Sequence, residues 1–236
     1  MSVDRFNKAP NLAGRLWDQT GSVLVEFAIL LPLVTVIVFG SVDLLYAFYQ
    51  WNAAAKAVAI GARIAAVSDP VAAGLNTLSN RVVVSGVAVL RGPMPSFIVT
   101  CNGDTTSCDC DGTCTGMAGN SYDMTAMNRI VFGRGSLSCG DATSSYTTGM
   151  CDVLPSIRPA NVVIVYRQTG LGFAGRPGGP VPTITLSLQN MTFEFFFLQA
   201  LGIHIAIPPV TTTMTADITN DLHSDSALSV LPECAI

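Results

Sequence analysis

Charge is in short supply. The 236 residues include 12 Lys and Arg and 16 Asp and Glu, so 12% are charged, where soluble domains run at about 25%. A net charge of −4 leaves no basic face for nucleic acid. Disordered polymers combine low hydrophobicity with high net charge, and here half the residues are hydrophobic. There are only two histidines, His204 in an apolar run, where a core position is the usual outcome, and His223 in a polar stretch. The motifs G-x-S-x-G, H-E-x-x-H and G-K-[ST] are missing. Gly172-x-x-Gly175-x-x-Gly178 lacks the strand-then-helix setting of a nucleotide loop and reads as a turn. The chain therefore shows no catalytic constellation, reads as a non-enzyme and is expected to need no cofactor. Its apolar excess belongs in a membrane segment, a fibre interface or both.

That excess gathers near the start. From Phe27 to Val42, sixteen residues (FAILLPLVTVIVFGSV) carry no charge, and extension back to Ser22 adds only Glu26. About 20 apolar residues cross a ~30 Å hydrocarbon core, so the run suffices. Asp43 marks its edge. Tyr46, Phe48, Tyr49 and Trp51 follow, an aromatic cluster of the kind found at a membrane–water interface. Arg5, Lys8 and Arg15 precede the run, whereas the twenty residues after it hold only Lys56 as a basic residue. The positive-inside bias then places the N terminus in the cytoplasm and the rest of the chain outside. A secretory signal peptide fits less well. Its small-residue cleavage site should close the apolar core, but Ala53-Ala54-Ala55 lies too far on, and Glu26 is out of place. A buried helix of a soluble protein would account for the run but not for the basic arm and the aromatic belt.

The junction reads Gly21-Ser22-Val23-Leu24-Val25-Glu26-Phe27: a basic arm ending in glycine, four residues, a carboxylate, an aromatic, then the apolar run. With Leu31-Pro32 and Gly61-Ala62-Arg63, the segment from Val25 to Ala66 resembles the TadE-like pseudopilins of the tight-adherence (Flp) pilus machinery. Val210 to Asp217 (VTTTMTAD) is similar, more weakly, to that family's closing strand. The resemblance implies a bacterial inner-membrane protein processed by a prepilin peptidase between Gly21 and Ser22. It implies partners among other pilin-like subunits and the pilus assembly platform, besides the lipid bilayer. Glu26 and Phe27 would serve assembly. Cleavage would create an α-amino group, of pKa ~8, and a carboxylate one helical turn away could pair with it, in the same chain or a neighbour. Unpaired in lipid, an ionised Glu is costly; the bland alternative is a Glu that reaches the headgroups.

Beyond the run no strong stop signal appears before Ser68-Asp69-Pro70, so one helix is expected from Ser22 to Val67. It is far longer than a bilayer requires. Ala54, Ala57, Gly61 and Ala65 recur at helical spacing, a stripe that suits close packing on the protein's own head, in a bundle or in both. Lys56 and Arg63 read as solvated. Val71–Arg81 suits a short helix and Met124–Phe132 an amphipathic one. Strands are expected at Arg81–Leu90, Phe97–Cys101, Val162–Gln168, Thr183–Phe196 and Val210–Ile218, with a turn from Gly170 to Pro182. The fold class is α+β, a long N-terminal helix followed by a mostly antiparallel, pilin-like sheet. The divisions are a leader over 1–21, the helix over 22–68 and an extracytoplasmic domain over 70–236. A second apolar concentration, Phe193–Leu198 with Leu201–Ile207, reads as a core strand and buried turn, or as a patch resting on a membrane or a partner.

Seven cysteines remain. Cys101, Cys108, Cys110 and Cys114 fall within fourteen residues, followed by Cys139 and Cys151, with Cys234 left over. Such density in an oxidising compartment reads as disulfide staples within a Cys-rich loop, 101–151, inserted relative to the TadE-like pattern. Zinc is disfavoured by the C-x-C-x₃-C spacing and by the absence of a nearby His. Asp104, Asp109 and Asp111 lack the closing Glu of a calcium loop and read as surface acids. Connectivity does not follow from sequence. Two functions compete: a processed pseudopilin, and an uncleaved membrane-anchored binding or adhesion module.

Overall fold

The computed structural model describes residues 12–78, 83–84, 87–88, 91–114, 121–135, 137–140, 147–176 and 180–215. Arg5, Lys8, His223 and Cys234 lie outside them. The first helix, α1, is Leu12–Val67, 56 residues and about 84 Å long at 1.5 Å per residue. It begins before the expected Ser22, because Leu12, Ala13, Arg15 and Leu16 are good helix formers and Gly21 alone does not break a helix. It ends at the Ser68-Asp69-Pro70 signal, where the Ser68 hydroxyl donates to the Ile64 carbonyl at 2.7 Å. Two compact units divide the chain. One holds the helix through Phe48 together with Glu194–His204; the other holds Tyr49–Phe193 and the chain from Ile205 on.

The second unit is the α+β body. After α2 (Leu75–Leu78) come a hairpin of β1 (Val83–Val84) and β2 (Val87–Ala88), then β3 (Phe97–Asn102) and β4 (Ser107–Gly112). There follow α3 (Met124–Phe132), α4 (Met150–Val153), β5 (Val162–Arg167), β6 (Thr183–Leu188) and β7 (Thr211–Thr215). Five strands form one antiparallel sheet in the order β4-β3-β5-β6-β7. Within the helix expected over Val71–Arg81, residues 71–74 are turn and bridge and Leu75–Leu78 is α2. Within the strand expected over Arg81–Leu90, the described pairs Val83–Val84 and Val87–Ala88 form the small hairpin, and the remaining residues of both expectations lie outside the described ones. The strand expected through Phe196 stops at Leu188, where Asn190, at φ 54°, turns the chain. In the Cys-rich segment β4 replaces an expected loop.

Alternation along the strands explains the core. Phe97, Val99 and Cys101 of β3, Val162, Ile164 and Tyr166 of β5, and Ile184, Leu186 and Leu188 of β6 are buried, while their neighbours are partly or fully exposed. They share one hydrophobic cluster with Ala54, Ala57, Val58, Ala62 and Ala65 of α1. The small-residue stripe is thus covered by the protein's own sheet, while Lys56 and Arg63 face out. Gly61 marks the closest approach. A Cβ there would overlap the Met150 thioether and come within 3.2 Å of Leu186 Cδ1. Tyr166 ties this body to the end of α1: its buried hydroxyl accepts from the Val71 amide at 3.0 Å, and burial pushes its pKa up.

Among the described residues there are three disulfides, and Cys101, Cys108 and Cys151 are buried in the core. Cys101 and Cys108 face one another across β3 and β4 with Cα atoms 4.0 Å apart. Cys110 pairs with Cys114, and Cys139 with Cys151. Asp104, Asp109 and Asp111 are exposed beside them.

Overpacking a well-filled core costs about 1–3 kcal/mol. Gly61→Val should destabilise the body by that amount, read as a lowered urea midpoint of the full chain in detergent micelles. Gly40→Val, at a glycine with no atom within 4 Å of its would-be Cβ, should leave the midpoint unchanged.

Candidate functional site

The first unit presents what most folds hide. From Val23 to Phe48, α1 turns most of its apolar side chains outward: Phe27 is 62% exposed, Ile37 62% and Leu45 70%. None of its most apolar stretch is buried within the protein, and by length and composition the helix can cross a membrane. The two hydroxyls inside the uncharged run are satisfied locally. Thr35 donates to the Leu31 carbonyl and Ser41 to the Val38 carbonyl, each at 2.7 Å. Back-bonding of this kind is how a helix carries Ser and Thr where water is scarce.

The residues singled out by sequence fall along this helix. Gly21, Ser22, Glu26 and Phe27 all lie within α1, with Gly21, Glu26 and Phe27 exposed. Glycine in a helix interior costs about 1 kcal/mol relative to alanine. At Gly61 packing explains the glycine; at Gly21 no atom comes within 4 Å of a would-be Cβ. Among the described residues no contact accounts for the glycine at 21. Of the boundary aromatics, Tyr46 is half-buried, whereas Phe48, Tyr49 and Trp51 are exposed.

One site residue escaped the sequence reading. Asp43 is 1% exposed. Its carboxylate accepts hydrogen bonds from three successive backbone amides 150 residues away in the chain. Oδ1 receives the Phe196 amide at 2.9 Å, Oδ2 the Leu198 amide at 2.8 Å, and the Phe197 amide lies 3.0 Å from Oδ2 and 3.3 Å from Oδ1. Consecutive amides turned inward make a concave anion cradle. The chain then makes a short 3₁₀ turn, Gln199–Leu201, and reverses at Gly202, φ 75°. The amides of Gly202 and Ile203 donate to the Gln199 and Leu198 carbonyls at 2.9 and 3.0 Å. Rings reinforce the cradle on either side: Phe197 stacks on Phe39 at 4.6 Å and 6°, and Phe196 tilts against Tyr46 at 5.0 Å. Phe39, Asp43 and Tyr46 stand at i, i+4 and i+7, one face of the helix.

Residues 193–198 are therefore not a core strand. Phe195 is buried, but Phe196 is 72% exposed, and His204, expected in the core, is exposed as well. The chemistry available at this site is binding and anchoring.

The family model described as TadE-like protein matches residues 21–63. No curated protein and no solved structure matches the chain.

Charge-assisted hydrogen bonds are among the stronger ones, and their loss opens a segment locally. Asp43→Ala should speed hydrogen exchange at the amides of 196, 197 and 198 by an order of magnitude or more, with the amides of β5 unchanged. Mass-spectrometric exchange on the full chain in detergent reads both.

Proposed function

We propose that this protein is a membrane-anchored, pilin-like minor subunit of a Tad/Flp pilus machinery, acted on by a prepilin peptidase rather than itself an enzyme. The observation that carries the reading is the TadE-like match over residues 21–63, which begins at Gly21. Two features of the chain support it. Gly21 has no packing neighbour among the described residues, which fits a demand for a small residue from outside, such as a narrow protease cleft. The apolar helix continues into the core of a folded body, as a subunit displayed outside a membrane requires. In this reading the basic arm is cytoplasmic by the positive-inside bias. Residues from Tyr49 on are extracytoplasmic, where disulfides persist.

Processing would hydrolyse the peptide bond between Gly21 and Ser22 and leave an ammonium on Ser22. Glu26 lies four residues further, about 6 Å along the axis, and is exposed. It can pair with that ammonium in its own chain or with a neighbour's, which would set the register of packing among pilin-like helices. The partners in this reading are other pilin-like subunits and the assembly platform.

Intact-mass and N-terminal peptide measurement on membranes with and without prepilin peptidase tests the proposal. The expected mature chain starts at Ser22 only when the peptidase is present, and Gly21→Leu should stay full length. A chain that keeps residues 2–21 in both membranes would contradict processing and leave an uncleaved anchored binding module.

A further inference from the structure

The apolar segment Glu194–His204 has no place in the α+β body and yet is not a free loop. Asp43 holds three of its amides, and Phe197 stacks on Phe39. Phe39 lies inside the uncharged run, four residues before Asp43, about 6 Å along the helix axis. Any medium that surrounds Phe39 therefore also meets the ring of Phe197.

We infer that residues 194–204 form a second membrane-contacting element, an apolar tip clipped to the end of the span by Asp43 and seated in lipid at the acyl–headgroup boundary. The inference rests on the reading of α1 as a membrane span. Three observations carry it beyond that reading. First, the tip shows apolar surface: Phe196 is 72% exposed and Ile203 42%. Second, between Glu194, exposed at the start of the tip, and His204 at its end, residues 195–203 hold no ionisable side chain. A lipid seat demands that restriction of the residues it holds. Third, five amides of the irregular backbone are paired within the chain. The amides of 196, 197 and 198 go to Asp43, that of 202 to Gln199 and that of 203 to Leu198. In lipid each unpaired amide costs several kcal/mol, so non-helical backbone is tolerated there only when it is paired.

Asp43 gains a role from the same arrangement. A carboxylate at the end of an apolar run would ordinarily draw water to it. Here protein amides take the place of that water, so the charge can sit at the boundary while the residues around it remain dry. Asp43 is a positioning residue: it fixes how far along the span the tip can reach.

The test uses single tryptophans in the full chain, in a Trp17→Phe, Trp51→Phe background, reconstituted in nanodiscs of phosphatidylcholine brominated near the headgroup end of its acyl chains. Phe196→Trp and Ile203→Trp report on the tip, Ile37→Trp on the span, and Leu137→Trp, at a 79% exposed site in the α+β body, on solvent. Quenching at both tip positions should come within about twofold of that at Ile37→Trp, as for a segment sunk ~5–10 Å into the interface. The Leu137→Trp emission should be unchanged by bromination. Tip tryptophans quenched no more than Leu137→Trp, beside a quenched Ile37→Trp, would overturn the inference, whether the tip then lies in water or against a second copy. An unquenched Ile37→Trp would instead remove the membrane span, and the inference with it.

Discussion

An apolar helix about 84 Å long has more surface to bury than a ~30 Å hydrocarbon layer can take, and α1 answers that constraint along its length in two ways. From Ala53 to Ala65 the helix is narrow, built of Ala and Gly on its inner side, and a five-stranded sheet closes over it. From Val23 to Phe48 it is broad, built of Leu, Ile, Val and Phe, and most of that surface stays exposed, apart from the Phe39–Asp43–Tyr46 face that residues 196–198 meet. Small residues serve where a protein surface must approach; large ones serve where the surroundings are fluid and fill any shape. The change of side-chain size along one continuous helix thus records a change of solvent, with lipid as the first solvent in the function proposed above.

Asp43 stands near the point where the two regimes meet. A charge there has to be solvated by something, and backbone amides from residues 196–198 do it. Water would have served equally for an ordinary surface aspartate. Its replacement by protein dipoles draws a distant segment to the helix and leaves Phe196 and Phe197 against Tyr46 and Phe39. The glycines make a parallel contrast. Gly61 is small because Met150 and Leu186 crowd it, whereas nothing among the described residues crowds Gly21. A residue whose cost is not offset inside the molecule points to a requirement imposed from outside it.

Those elements that rest on local pattern were legible in the sequence. The end of α1 at Val67 followed from Ser68-Asp69-Pro70, and the helical spacing of MTAMNRIVF marked α3 to the residue. The β-branched runs located β3, β5, β6 and β7, although β6 proved shorter than its run. What failed rests on partners remote in sequence. In β4 the run SCDCDG has no strand-like composition; the segment is a strand because Cys101 and the rest of β3 lie opposite it. The phenylalanines of 193–198 have the composition of a core strand, but the turn at Asn190 and the pull of Asp43 send them elsewhere. Of the candidate site, the Gly21–Glu26 junction could be read directly, since its signal is an ordered set of neighbours. The Asp43 cradle could not, since backbone amides leave no mark on amino-acid identity.

The central claim is that α1 passes from lipid to protein surroundings at about Asp43. A photoactivated, lipid-soluble carbene reagent, applied to the full chain in bilayers and mapped residue by residue along the helix, tests it most directly. Labels are expected on residues 27–42 away from the Phe39 face that Phe197 covers, and none on Ala54, Ala57, Ala62 or Ala65. Labels that extend evenly through the alanine stripe, or that miss residues 27–42, would contradict it.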